Sequence, residues 1–399
     1  MGVILVNHWC KRKIIKVIKR RDNQMSDNKK MGKVMMFTEV NEPMEEWEFP
    51  LPDELEPGAV LVKTSMATVC GSDYHSWRGR RPFPTPSVLG HEGVGTIVKK
   101  SPEVERDTAG KDLSVGDRIT WTIMANCGNC YFCRIKGLPQ KCLNLFKYGH
   151  DKSDVFPYFN GTFGEYVYLR PGTGLYKLPE DLADEEASPL MCAASTVTAG
   201  LDKVGVEVGD KVVIQGAGML GLYASVVAKE KGAKQVIMLD KLDDRLEMAK
   251  EFGTDVCLNV DNFTEEELIN KVKDITGGFG PDIAVEVTGF AEVIPQGIKM
   301  LRIGGRYLIQ GSVYPNDTFE VASYDILIKS LTIAGLHNYD SKYLGQAIDI
   351  VHKNRDRYPF KKLAGPKFPM TADGVTNAML SLEKKESIRP IIVPESELE

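Results

Sequence analysis

The segment "KVVIQGAGMLGLYASVVAKEKG" (211–232) restricts this chain to few folds. Its opening "KVVIQ" is an apolar, β-branched run of the kind that forms a strand buried on both faces. It feeds through Gly216-x-Gly218-x-x-Gly221 directly into a helical run. The first glycine makes the tight turn, the second lets the backbone approach a pyrophosphate, and the third lets helix and strand pack closely. The helix N-terminus then presents free N–H groups and a partial positive charge to phosphates. Asp240 ends the next strand, "QVIMLD", at a position where a carboxylate accepts hydrogen bonds from the adenosine ribose. A carboxylate there also repels a 2′-phosphate, which favours NAD over NADP, and Lys241 beside it weakens that preference without reversing it. A glycine turn serving packing alone is the alternative.

The alternation continues on both sides of this unit. Helix "DDRLEMAKEFG", strand "DIAVEV", helix "AEVIPQGIKML" and strand "RYLIQG" follow in turn, which predicts βαβ units and a parallel, doubly wound sheet over about residues 189–335. From about 33 to 188 the texture differs: short β-rich runs such as "AVLVKTSMATVC", "GVGTIVKK", "GDRITWTI" and "GEYVYL" are broken by "EPG", "SVGD" and "LPED". These predict a glycine-rich, mostly antiparallel β domain. Beyond 335 a helix is expected at "SKYLGQAIDIVHK", in a tail too short for its own domain that packs back onto the first. At 399 residues, two or three domains are expected from about 100–200 residues per domain.

A net charge of −5 gives no basic field for nucleic acid, and no apolar run reaches the ~20 residues a membrane span needs. The first thirty residues are the exception: "CKRKIIKVIKRR" places seven basic residues in twelve positions. A secretory leader puts its charges before the apolar stretch, whereas "VILV" precedes them here, so export is not expected. Residues 1–30 are read as a disordered basic extension from an upstream start, since Met25 and Met31 follow. A basic arm that touches a membrane surface or nucleic acid is the other reading. A cytoplasmic, reducing compartment is expected, so thiols serve as ligands rather than bridges.

The stretch "NCGNCYFCRIKGLPQKC" holds Cys127, Cys130, Cys133 and Cys142, four of the eight cysteines. Thiolates this close in sequence can converge on one ion, and a tetrahedral zinc held by four cysteines is a closed structural site. A zinc ribbon separates its Cys pairs by ~15–20 residues, and a redox C-x-x-C needs a βαβ setting that is missing here. A second set is dispersed: Cys70, Ser72, Asp73 and His75 in "VCGSDYH", His91 and Glu92 in "LGHEGVG", and Cys192 in "PLMCAAST". Singly, each of these reads as core, as do Cys10, Cys257, His150, His337 and His352.

Taken together and in this order, Cys70, the His91-Glu92 pair, the four-Cys lobe and the glycine unit resemble the zinc-dependent medium-chain alcohol dehydrogenases over about residues 33–395. The resemblance implies a GroES-like catalytic domain from 31–188 and 336–399, carrying the structural zinc lobe, with a Rossmann NAD-binding domain at 189–335 inserted between. It implies two zinc ions per chain. Cys70, His91 and Cys192 hold the catalytic one, with a fourth position left for water or substrate. Cys127, Cys130, Cys133 and Cys142 hold the structural one. By the same resemblance Asp73 and Glu92 are supporting carboxylates in the catalytic group, Ser72 takes the substrate proton and His75 relays it through the cofactor ribose. Thr196 packs on the nicotinamide and Arg389, in "ESIRPII", contacts the pyrophosphate. Zinc as a Lewis acid makes an alcohol a competent hydride donor near neutral pH. One departure stands out: "RIKGLPQK" places eight residues between the third and fourth lobe cysteines where the family has seven. The extra residue is expected to be absorbed at Gly137-Leu138-Pro139.

Arg78, Arg80 and Arg81 in "HSWRGRRPFPTP" form a clamp for an anionic substrate group in one reading and solvated loop charges in the other. "GLPQKC" and "LFKYGH" are similar to a branch of the family associated with phosphonate metabolism, so an anionic or phosphonate-bearing alcohol is one expectation. A polyol or simple secondary alcohol is the rival, and a non-catalytic zinc-binding protein on the same scaffold is the further alternative. "LTIAGL" (331–336) offers a sheet edge to a twin subunit, so a homodimer or homotetramer is expected, with no nucleic-acid or membrane partner.

Overall fold

The computed structural model describes residues 29–398 apart from 315 and 385. The basic extension expected over 1–30 lies outside the described residues except for Lys29, which pairs with Asp53, and Lys30, whose carbonyl accepts from Leu51 N at 2.9 Å.

Six parallel strands form one sheet, in the spatial order Val256–Asn259, Gln235–Asp240, Lys211–Gln215, Ile283–Glu286, Arg306–Ile309 and Thr332–Gly335. The strands at its centre are buried along nearly their whole length, which accounts for their unbroken apolar sequence. Strand order reverses between Lys211–Gln215 and Ile283–Glu286, and the crevice beyond the carboxyl ends of those two strands is where open α/β sheets bind ligands. The helix Met219–Glu230 leaves that crevice through the glycine turn. Gly216 has φ +111°, a backbone conformation that a side chain strains. A Cβ on Gly221 would lie 1.9 Å from the Gly216 carbonyl oxygen, whereas one on Gly218 would meet nothing within 4 Å. Packing thus demands the third glycine and leaves the second facing open space.

The remaining strands are mainly antiparallel. Val60–Thr68 lies at the centre of a sheet ordered Lys367–Pro369, Ile391–Val393, Val60–Thr68, Gly93–Lys100, Arg118–Ala125 and Phe146–Lys147. Tyr166–Leu169 pairs with Val60–Thr68, and Thr173–Lys177 with Arg118–Ala125. Met31–Phe37 joins Glu45–Pro50 and Ser87–Val88 in a smaller sheet. Chain-terminal strand Ile391–Val393 therefore closes against a strand from the first hundred residues, with Ile391 opposite Thr68. Helix Lys342–Asn354 buries Leu344, Ala347, Ile348 and Val351 against helix Ala193–Val204. The helix expected at 291–301 begins as a 3-10 turn, Ala291–Val293, and becomes α-helical over Ile294–Met300, with Pro295 in its first turn. No helix among the described residues is long and apolar enough to cross a membrane.

The turn geometry makes a prediction. Gly221→Val forces either the helix or the Gly216 carbonyl to move and should destabilise the protein by about 3 kcal/mol, the upper range of overpacking. Thermal or urea unfolding measures this; an unchanged midpoint would mean that the close approach is relieved at no cost.

Candidate active site and metal centres

Cys70 is the N-cap of the short helix Gly71–Trp77, and Asp73 sits at N3. Asp73 Oδ2 accepts the Cys70 backbone N–H at 2.9 Å, half of a capping box that fixes where the chain turns into the helix. The other oxygen, Oδ1, accepts from His91 Nδ1 at 3.1 Å and from Gly90 N at 3.2 Å. Fully buried, this one carboxylate orients two segments at once. It also holds the Nδ1 edge of the imidazole, leaving Nε2 as the nitrogen that a metal can take once its proton is displaced. Cys192 enters from a third segment, between the 3-10 turn Ser188–Met191 and helix Ala193–Val204.

Ligand atoms of Cys70, His91, Glu92 and Cys192 all lie within 4.8 Å of one another. The site's electrostatics favour a cation. A hydrogen bond from Cys192 holds the Cys70 thiol well below its ordinary range against the opposing effect of burial, while the Cys192 thiol is driven up by the same contact. The buried Cys70 sulfur and the half-buried Cys192 sulfur are thus joined by a hydrogen bond that favours charge on Cys70. Burial would lower the His91 pKa, but the charge and hydrogen bond of Asp73 and the Cys70 thiolate raise it to about 10. A soft divalent ion that displaces both protons relieves this arrangement, and two thiolates with an imidazole suit zinc.

Glu92 is fully buried. Its Oε2 accepts from Thr68 Oγ1 at 2.6 Å and lies 3.4 Å from Arg389 Nη1, while Oε1 has no hydrogen-bond partner. Arg389 is equally buried, and the opposite charges it meets are Glu92 and then the Cys70 sulfur. Ser72 Oγ lies 3.3 Å from His91 Nε2, at the edge of the cluster. His75 follows one turn along the same helix, and its Nδ1 is 3.1 Å from Arg80 Nη1. Burial, then the charge of Arg80, holds the His75 pKa down at about 4. Its ring stands edge-on to Tyr314 at 5.4 Å, next to the crevice loop that follows strand Arg306–Ile309.

In the crevice, Asp240 Oδ2 accepts from Ala217 N at 2.7 Å and Oδ1 from Leu242 N at 3.0 Å. The residue therefore braces the glycine turn and keeps a lone pair on each oxygen for a ribose. Thr196 is half-buried on helix Ala193–Val204, and its carbonyl accepts from Gln310 Nε2 at 2.7 Å. Glu286 was not anticipated. Wholly buried, its Oε1 accepts from Thr288 N, Thr288 Oγ1 and Gly289 N at 2.7–2.9 Å, and its Oε2 from Gly311 N and Ser312 N at 3.0 and 2.9 Å. It thereby ties together the two loops that flank the crevice. A charge inside the apolar run "IAVEV" was the signal for it.

The second cluster is local. Sγ atoms of Cys127, Cys130, Cys133 and Cys142 lie within 4.8 Å of one another, and the nearest pairs are 3.4 Å apart, far beyond the ~2.05 Å of a disulfide. Backbone N–H groups of Cys127 and Asn144 both donate to Cys142 Sγ at 3.3 Å. Hydrogen bonds from the Leu143 and Cys133 amides draw the Cys130 thiol down to about 6, poised as a thiolate. The longer loop turns at Gly137, with φ +62°, and enters the 3-10 turn Pro139–Lys141, leaving the four sulfurs convergent.

These geometries accord with the comparisons to known proteins. Residues 56–180 match the family described as the alcohol dehydrogenase GroES-like domain, and residues 220–353 match the one described as zinc-binding dehydrogenase. The 5-exo-hydroxycamphor dehydrogenase of Pseudomonas putida is 33% identical over 355 residues, 88% of this chain and 95% of that protein. The L-threonine 3-dehydrogenase of Pyrococcus horikoshii is 34% identical over 288 residues, 70% of this chain and 76% of its own. Among solved structures, an alcohol dehydrogenase from Thermotoga maritima superposes with a TM-score of 0.86 at 32% identity, covering 92% of this chain and all of that one. A relative one-third identical over nearly its full length, with a family match to each half, shows that this chain belongs to the zinc-dependent medium-chain alcohol dehydrogenases.

Proposed function

We propose that the protein transfers hydride between an alcohol, or the corresponding aldehyde or ketone, and NAD(H), with two zinc ions per chain. The observation that carries this reading is the convergence of Cys70, His91 and Cys192, from three distant segments, within 4.8 Å of one another beside a half-buried hydroxyl, Ser72. Held by these three residues, zinc would supply Lewis acidity that makes the substrate hydroxyl easier to deprotonate near neutral pH, and a bound nicotinamide would supply the hydride acceptor. Asp73 fixes the ligating edge of His91. Ser72 accepts the substrate proton, and His75, kept neutral by burial and Arg80, passes it on toward solvent. Gly216, Gly218, Gly221 and Asp240 receive the dinucleotide, Thr196 backs the nicotinamide, and Arg389, paired with Glu92, contacts the pyrophosphate. The Asp240 carboxylate supports NAD over NADP. The four-Cys lobe holds the second, structural zinc.

In this reading the catalytic domain comprises 31–188 and 336–399, and the nucleotide domain 189–335. The enzyme is cytoplasmic and a homodimer or homotetramer. Edge strand Thr332–Gly335, with exposed Tyr324, Leu327 and Ile328 nearby, supports pairing with a second copy. The substrate is an alcohol bearing an anionic group, a phosphonate among the candidates; a polyol or simple secondary alcohol is the rival within the class.

Metal analysis and a mixed alcohol panel with NAD and NADP test the assignment. Two zinc ions per chain and NAD-linked turnover are expected. Cys192→Ser should leave one zinc and lower turnover about 10³-fold or more, the loss of several kcal/mol of Lewis-acid stabilisation. Cys133→Ser should also leave one zinc, but act chiefly through stability. Two bound zinc ions with no alcohol oxidised would favour the non-catalytic alternative.

Two further substitutions separate roles. Ser72→Ala should lower kcat by about 10²–10⁴, the usual worth of a positioned proton acceptor, with KM little changed. Gly218→Ala, at a position with no close neighbour, should leave the melting temperature unchanged while weakening NAD binding. If NAD binding also stays unchanged, the turn serves packing alone.

A further inference from the structure

Short strand Phe146–Lys147 links the two cysteine clusters, with Lys147 opposite Met124 on the strand that leads into the four-Cys lobe. Three residues on, His150 Nδ1 donates to the Tyr148 carbonyl at 2.9 Å, so its Nε2 is an acceptor, taken by Arg81 Nη2 at 3.2 Å. The His150 ring stands 5.2 Å from that of His91, which brings Arg81 to the rim of the catalytic cluster. Arg81 is held in place by hydrogen bonds to Ser76 Oγ at 2.9 Å and the Ser72 carbonyl at 3.1 Å, neither of which neutralises it. Lys141, on the lobe, extends to His337 Nδ1 at 3.3 Å at the outer edge.

The charges here do not balance. Among the described residues the Lys147 ammonium forms neither a hydrogen bond nor an ion pair, although the residue is mostly buried, and Arg81, bonded to Ser76 Oγ, the Ser72 carbonyl and His150 Nε2, forms no ion pair. Arg78 differs, since it is paired with Glu383 and stacked on Trp77, which removes it from the loop's candidate anion clamp. The negative groups felt by Lys147 are Cys192, Cys70 and Asp73. The thiolates are the groups assigned to zinc, and Asp73 is already engaged by His91, Cys70 N and Gly90 N. Burial, with Arg81 adding to it, lowers the Lys147 pKa to about 8 against the pull of the thiolates. A mostly buried ammonium in the field of an unpaired guanidinium is costly unless it gives up its proton or an anion arrives from outside.

We propose that Lys147 and Arg81 form a subsite for the anionic end of the substrate, so that the alcohol oxidised here carries a carboxylate or phosphonate oxyanion close to its hydroxyl-bearing carbon. The proposal rests on the dehydrogenase reading for the hydroxyl end alone, since the oxyanion end is recognised by charge and hydrogen bonding whatever chemistry follows. Lys147 supplies a point charge and Arg81 a planar fork.

Two measurements on the zinc-loaded full chain test it. In the first, methylphosphonate and acetate are titrated by calorimetry into the native protein, Lys147→Met and Lys147→Arg. The methionine variant should bind the preferred anion about 10–100-fold more weakly, as expected for loss of a hydrogen bond to a charged group, and arginine should restore part of the loss. Whichever anion binds more tightly identifies the oxyanion. In the second, KM is compared for a short hydroxyalkylphosphonate, the matching hydroxy acid and the neutral diol. Lys147→Met should raise KM for the preferred anionic alcohol at least tenfold more than for the diol. Zinc content and melting temperature are checked for each variant, and Lys147→Gln replaces the methionine variant should that not fold. Anion binding unaltered by these substitutions, as a zinc-only contact would give, overturns the proposal, and so does an equal rise in KM for diol and acid. Lys147-dependent anion binding without turnover of any alcohol upholds the subsite and overturns the dehydrogenase reading instead.

Discussion

The geometry of the candidate site depends on the Asp73 carboxylate. By accepting from the Cys70 backbone on one oxygen and from the His91 ring on the other, it joins a helix N-terminus to a loop that precedes a strand in another part of the sheet. Strand pairing brings the two segments together, with Ala67 opposite Gly93, and the carboxylate then orients both the Cys70 turn and the His91 ring. Placing such an acceptor in the dry interior is tolerable because three N–H groups satisfy it. It also fixes which edge of the imidazole is engaged, so that Nε2 is the edge turned toward the sulfurs.

A second buried charge pair lies behind the first. Glu92 and Arg389 are both shielded from solvent, and the pair borders the two thiols. Isolated, each would be expensive to bury. Here the arginine offsets the negative charge that accumulates when two thiolates and two carboxylates crowd one centre. The unpartnered Glu92 oxygen shows that this balance is incomplete in the protein alone.

Local signals made much of this legible in the sequence. The strand, glycine turn and helix at 211–232 could be read directly, because close packing and positive φ select glycine at particular steps. The four-Cys lobe was legible for a similar reason: all its ligands lie within sixteen positions. The dispersed set was not, since nothing in the residues alone says that position 192 returns to positions 70 and 91; only the resemblance brought them together. Arg389 was linked to the cofactor by that resemblance, yet its buried partner Glu92 was invisible without the pairing of Ile391–Val393 on Val60–Thr68. Lys147 and Glu286 escaped for a related reason. A lysine in a short strand and a glutamate in an apolar one have no meaning until the neighbours from other segments are in place.

That terminal strand has a consequence for how the molecule is made. Arg389, which sits beneath the thiols, is carried into the centre by a segment that leaves the ribosome long after Cys70, His91 and Cys192 have emerged. Without that segment, Glu92 would lack the arginine that faces it behind the thiols. Completion of the cluster is thereby coupled to docking of the carboxyl-terminal region, and a polypeptide that stalled short of it would hold Cys70, His91 and Cys192 without the cation behind them.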